Sequence, residues 1–303
     1  MRVFLTGAHG YLGTHVVDAL LGAGHAVVAD PADAAAVAIL DDTHAEALEP
    51  ASLDLVARTA RLLDAMPARV GRIVVAASAD GYGEGPGECE ACGRVRPESR
   101  RAGAGAPWEP RCPRCEGVPA PVAVREDDRL QPAEPLAALR VAREDLVHAF
   151  GRTRGVETVS LRFFSIYGPG RLDGAFASIA SALRCGHGPE LGEDGGQTRD
   201  FVHVRDAARA VCVALEHPRA AGNVFNVGTG KPCSLAALTG LLSEAMGASV
   251  SPVLTGRARP GSARHLFADP KKIQHYTGWR PSVTLAEGIG GIAGHAPAAP
   301  TRV

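Results

Sequence analysis

A chain of 303 residues is long enough to bury one large α/β core or two interleaved ones. With 46% hydrophobic and 21% charged residues, a formal net charge of −1 and a pI near 6.8, it lacks the basic surface that nucleic acid requires. No apolar run nears the roughly 20 residues that span a bilayer, and MRVFLTGAHG is too short and glycine-rich for a secretory leader, so a cytoplasmic location is the expectation.

The first elements alternate. RVFLT reads as a buried strand, GAHGYLG as a glycine-rich turn, YLGTHVVDALLGAG as an amphipathic helix, and HAVVAD as a second strand ending in acid. AAAVAIL (34–40) is a third strand, LDLVARTARLLDAM (53–66) has helical spacing, and GRIVVAAS (71–78) is strongly strand-like. Strand–helix–strand repetition predicts a parallel, doubly wound sheet. From Gly83 to about Pro121 the periodicity stops and Gly, Pro, Arg and Cys dominate, which marks an insertion. The pattern resumes with a helix at 132–150 and the strand VETVSLRFF (156–164). Helices near 175–185, at 204–216 and at 234–246, with the strand NVFNVG between the last two, complete the chain before a frayed tail at 294–303.

Two stretches carry local chemistry. Gly7, Gly10 and Gly13 in GAHGYLG have the GxxGxxG spacing that lets backbone approach a phosphate while the next helix offers its N–H groups. His9, Tyr11 and Leu12 lie in the same turn, and Asp30, ending the second strand, is placed to accept from an adenosine ribose, which favours NAD. A purely structural glycine turn is the plainer alternative. Cys89, Cys92, Cys112 and Cys115 form CEAC and CPRC, with 19 residues (positions 93–111) between the pairs. That spacing suits two knuckles converging on a closed tetrahedral zinc site of structural type. Disulfides are the alternative, which a cytoplasmic chain disfavours.

On these residues, together with VVAASADGYGEG, LRFFSIYGPG (161–170), TRDFVHVRDAARA (198–210), VFNVGTG (224–230) and RPGSARHLFADPKKIQHYTGWRP (259–281), the chain resembles the extended short-chain dehydrogenase/reductases. Within them it is similar to the NAD-dependent nucleotide-sugar epimerases and dehydratases, and its four-cysteine insert is similar to that of a dTDP-L-rhamnose 4-epimerase-like subset. The resemblance runs nearly the whole length. It implies a Rossmann-type domain at 1–84 and 122–165, a zinc-ribbon-like insertion at 85–121, and a smaller substrate domain at 166–303 from which 198–216 returns to the first domain. It also implies a homodimer through the helices at 53–66 and 132–150.

The resemblance further assigns residues. Ser78 matches the Ser/Thr that bonds the sugar oxygen being oxidised. Arg199 and Arg259 match two arginines that grip the diphosphate, Phe201 an aromatic beside the base, and Ser165 a position that is usually Asn. Ser262 stands where an acid usually meets a ribose. The plainer alternative for the arginines is salt bridging at the surface or between domains.

The family's base is a Tyr four residues before a Lys, on one helical face, so that the ammonium lowers the phenol pKa and holds the nicotinamide ribose. Counted from Pro135, these positions hold Leu136 and Arg140. Leu cannot move a proton. Arg140 can still donate to ribose hydroxyls, but it does not titrate. A substitute base is sought in Asp80, which stands where 4,6-dehydratases carry Glu, or in Tyr82. A turn-capping role is the plainer reading of Asp80. The cofactor half also looks shortened, because only PADAA separates Asp30 from the strand at 36–40, where relatives insert another strand and helix. The expectations are therefore an NAD-using enzyme acting on a nucleotide sugar or related small molecule, a redox-silent enzyme of isomerisation, elimination or cyclisation, or an inactive binding subunit.

Overall fold

The computed structural model describes residues 1–40, 54–98, 108–171 and 173–293, so the tail expected at 294–303 lies outside the described residues. The strands are β1 (Arg2–Thr6), β2 (Ala26–Val28), β3 (Ala36–Ile39), β4 (Arg72–Ser78), β5 (Gly87–Cys89), β6 (Gly93–Val95), β7 (Ala120–Pro121), β8 (Glu157–Phe163), β9 (Ser165–Tyr167), β10 (Glu190–Leu191), β11 (Thr198–His203), β12 (Val224–Val227), β13 (Pro232–Ser234), β14 (Val253–Leu254) and β15 (His265–Leu266). The helices are α1 (Tyr11–Gly22), α2 (Leu55–Asp64), α3 (Pro135–Arg154), α4 (Gly174–Arg184), α5 (Val204–Glu216), α6 (Leu235–Met246), α7 (Lys271–Thr277) and α8 (Leu285–Ala293).

Six strands form one parallel sheet in the order β12-β8-β4-β3-β1-β2. Because successive strand side chains point to opposite faces, the apolar runs fill two cores. Val3, Leu5, Val74 and Ala76 pack with Leu12, Val16 and Leu20 of α1 and with Ala207 and Val211 of α5. Val37, Ile39, Ile73 and Val75 pack on the other face with Leu63 of α2 and Val147 of α3. A sheet covered on both faces needs continuous rather than alternating apolar strands, which these sequences are.

The link from β2 to β3 is a single 3-10 turn, Pro31–Asp33. Both strands pair directly with β1, one on each side. β12 closes the far edge of this sheet, although the expected domain boundary put it with the substrate half. Its apolar residues Phe225 and Val227 are fully buried, and such a run belongs in a covered sheet. Of the segment 198–216, only α5 packs on the main sheet. β11 instead pairs with β9, β13 and β15 in a second, four-stranded sheet. A third core, built from Phe176, Ile179, Leu183, Leu238 and Leu242 of α4 and α6, underlies this half. The insertion is a small antiparallel sheet, β6-β5-β7, carrying the cysteines.

Candidate active site

The turn after β1 is built around its glycines. Gly7 has φ +63°, Gly10 N–H donates to Gly7 O at 2.9 Å, and a Cβ on Gly13 would lie 1.9 Å from that same oxygen. Gly10 caps α1 through its backbone alone, with no side-chain cap. The first helical N–H groups thus stay available to an anion, which fits a dinucleotide phosphate. His9 is exposed in this turn and Leu12 buried. Asp30 is exposed and its Oδ1 accepts from Ala32 N–H at 2.7 Å, so in this conformation the acid expected at a ribose caps its own 3-10 turn.

A cleft of about 630 Å³ opens where β4 and β8 end. It is lined by Ser78, Asp80, Leu136 and Arg140 and also by Ser165, Arg199, Phe201 and Arg259. Ser78 Oγ donates to Asp80 Oδ2 at 3.0 Å, while Asp80 N–H donates back to Ser78 Oγ at 3.2 Å to start the 3-10 turn 79–82. Arg140 Nη1 stands 3.6 Å from the same Oδ2. Pro135 at the first turn of α3 fixes where that helix begins, and one helical turn then sets Leu136 and Arg140 on the cleft wall.

Tyr82 is corrected by its surroundings. It is fully buried outside the cleft, donates to Asn226 Oδ1 at 2.8 Å and accepts from Arg162 Nη1 at 2.8 Å. Burial pushes its phenol up to about 12. It is a buried structural group, not a substitute base. Among the described residues Tyr11 is the tyrosine that lines the cleft. Burial raises its phenol well above the ordinary range, the wrong direction for a base at neutral pH. Arg171, not anticipated from the sequence, sits 5.2 Å over its ring.

In the same cleft, Arg199 donates through Nη1 to Thr198 O at 2.9 Å and through Nη2 to Ser262 Oγ at 2.9 Å and Ala263 O at 2.8 Å. Arg259 is tied to Glu134, the residue that precedes α3 and also lines the cleft, at 3.5 Å. Glu134, like Arg171, was not flagged in the sequence, since its partner lies 125 positions away. Ser165 pairs with Phe201 in adjacent strands, which sets both on the cleft floor. The cleft thus holds a carboxylate–hydroxyl–guanidinium cluster together with two further cations, Arg199 and Arg259.

Outside the cleft, the Sγ atoms of Cys89, Cys92, Cys112 and Cys115 all lie within 4.8 Å of one another, with Cys89 and Cys115 at 3.4 Å. Four thiolates around zinc at about 2.3 Å stand about 3.8 Å apart, so this donor set fits a tetrahedral ion with no open position. No helix among the described residues is long and apolar enough to cross a membrane.

Residues 115–228 match the NAD dependent epimerase/dehydratase family. The chain is 31% identical over 328 residues to UDP-glucose 4-epimerase of Azospirillum brasilense, covering 95% of this chain and 89% of that protein. It is 28% identical over 312 residues to UDP-glucose 4-epimerase of Mycolicibacterium smegmatis, covering 95% and 96%. Among solved structures, UDP-glucuronic acid 4-epimerase from Bacillus cereus, in complex with UDP-glucuronic acid and NAD, superposes with a TM-score of 0.77 at 20% identity, covering 97% and 98%. That last likeness is one of fold.

Proposed function

The chain belongs to the NAD-dependent epimerase/dehydratase family, and we propose that it acts on a nucleotide sugar with Ser78 and Asp80 at the reacting end of its cleft. The observation that carries this reading is that one cleft joins the Ser78–Asp80–Arg140 cluster to Arg199 and Arg259. A diphosphate suits the planar guanidinium forks, and the sugar then reaches the carboxylate. NAD, held at the Gly7–Gly13 turn, would supply a hydride acceptor.

Ser78 bonds the sugar hydroxyl, and the proton leaving that oxygen passes through Ser78 Oγ to the Asp80 carboxylate, already its acceptor at 3.0 Å. Arg140 holds that carboxylate in place and donates to ribose hydroxyls where the family's Lys would. Leu136 supplies no proton and keeps water from the reacting end, being 5% exposed. We assign the four cysteines to a structural zinc ion, and a homodimer to the faces of α2 and α3. Sedimentation of the zinc-loaded protein tests the latter.

A second reading, favoured by Leu136, is a redox-silent acid/base reaction at Asp80 in the same cleft. Denaturing freshly purified protein and identifying the released small molecule, followed by turnover of UDP-glucose with NAD, separates the two. Bound NAD with turnover supports the first. No turnover with NAD, combined with activity gained in the double variant Leu136→Tyr and Arg140→Lys, would end it.

A further inference from the structure

The four-cysteine insertion is fastened at three places to one short segment of the substrate half. At its entry, the buried Glu84 carboxylate accepts Arg264 N–H at 2.8 and 2.9 Å and His265 N–H at 2.9 Å. Gly85 N–H donates to His265 O at 3.1 Å, and a Cβ on Gly85 would lie 2.3 Å from that oxygen. Three residues before Cys112, Glu109 Oε1 accepts from Arg264 Nε at 2.9 Å and Nη2 at 2.7 Å, and Oε2 meets His265 Nε2 at 2.8 Å. At its exit, Val124 N–H donates to Phe267 O and Asp269 N–H to Val124 O, at 2.8 and 2.7 Å.

The other edge of that segment holds the cleft. β15 pairs with β11 so that His265 faces Thr198 and Leu266 faces Arg199. The Arg199 guanidinium reaches forward to Ser262 and Ala263, just ahead of Arg264. Arg264 also binds Glu193 and Asp194, each at 2.7 Å, in the loop that leads into β11. Among the described residues the insertion's own apolar core is Cys89, Val95 and Cys112 with Cys92 against them, too little to hold its shape without a metal ion.

We propose that Glu109 and Arg264 are positioning residues through which the metal-binding lobe sets Arg199 for the nucleotide diphosphate. The lobe therefore serves substrate binding as well as its own fold. This rests on the reading above that Arg199 meets a diphosphate. Arg264 is 4% exposed and keeps Glu193 and Asp194 when Glu109 is neutralised, so Glu109→Gln weakens this one of the three fastenings without stranding a buried charge.

The experiment uses the whole metal-loaded chain, its Glu109→Gln and Glu109→Asp variants with metal content measured, and the wild type treated with a strong chelator. Backbone hydrogen exchange is followed without ligand, and UDP binding by calorimetry. Glu109→Gln and metal removal are expected to speed exchange at 197–200 and 262–266, outside the insertion. Glu109→Gln should also weaken UDP about tenfold, as for loss of a charge-assisted contact, with kcat nearly unchanged and Glu109→Asp restoring most of the affinity. Faster exchange confined to 84–124, or UDP affinity within twofold of wild type, overturns the proposal. If the wild type binds no UDP or dTDP, the diphosphate reading fails, and the exchange at 197–200 and 262–266 still decides whether the lobe holds the Arg199 strand.

Discussion

Ser78 Oγ donates a hydrogen bond to Asp80 Oδ2 across 3.0 Å, in the cleft that Leu136 and Arg140 also line. If the proposed sugar meets Ser78, a carboxylate that already accepts from that hydroxyl is the group best placed to take its proton. Asp80→Asn preserves shape and one hydrogen bond but cannot accept that proton. It is expected to lower kcat by at least about 100-fold, the usual size of a lost general base, with UDP affinity unchanged. Steady-state kinetics with UDP-glucose alongside calorimetry measures both. An unaltered kcat would remove Asp80 from the mechanism.

Glu134 competes for the cation expected to hold the diphosphate. Its carboxylate lies 3.5 Å from Arg259, with the two side chains 30% and 48% exposed, so the pair is weak and its loss costs the fold little. Glu134→Gln is expected to tighten UDP binding about two- to fivefold, in line with the small worth of an exposed pair. The gain should shrink as salt is raised. Calorimetry at low and high salt reads it. Weaker binding in the variant would mean that Glu134 orders Arg259 rather than occupying it.

Two glycines of α1 make a matched pair of tests. Gly13 leaves no room, since an added Cβ would stand 1.9 Å from Gly7 O, whereas Gly22 has nothing within 4 Å of its would-be Cβ. Gly13→Ala must push the turn apart and is expected to abolish NAD binding and lower the melting temperature. Gly22→Ala is expected to stabilise by about 0.4–1 kcal/mol through the unfolded chain and to leave NAD binding untouched. Thermal melts with and without NAD distinguish them. Equal effects of the two would mean that the turn has no special geometry.

The parts legible in the sequence were those fixed by local pattern. Continuous apolar runs gave the parallel strands, glycine spacing the turn after β1, and cysteine spacing a cluster whose sulfurs do converge. Features set by distant partners were not legible. Tyr82 is four residues from Ser78, yet the 3-10 turn swings it into the core, where Asn226 lies 144 positions away. The sequence pattern puts Asp30 at the end of the second strand, but β2 stops at Val28 and Asp30 caps the short 3-10 turn that follows, its carboxylate drawn to Ala32. Glu109, in a stretch with no periodicity, finds its partner Arg264 155 positions later. Charged side chains carry no periodic signal, and only the folded backbone brings such pairs together.

His148 supplies a test of the buried core against pH. Its Nδ1 lies 2.8 Å from Thr158 Oγ1 and its Nε2 2.7 Å from Ser160 Oγ, between α3 and β8. Burial is the main reason its pKa is lowered below 6.5; Arg152 and Arg162 push the same way, against Glu144 and Asp145. Above 6.5 the ring is neutral folded and unfolded alike, so the stability it allows is fully present. As pH falls through 6.5 the unfolded chain takes up a proton that the folded chain resists, and stability is lost until the folded value is passed. Burial also lowers His203, which adds to the fall in the same direction. Between pH 7.5 and 5.5 the urea midpoint is therefore expected to drop. His148→Gln keeps a donor and an acceptor for the two hydroxyls but cannot be protonated, so its drop should be smaller. Parallel pH slopes for wild type and variant would show that His148 is protonated as readily in the folded chain as in the unfolded one.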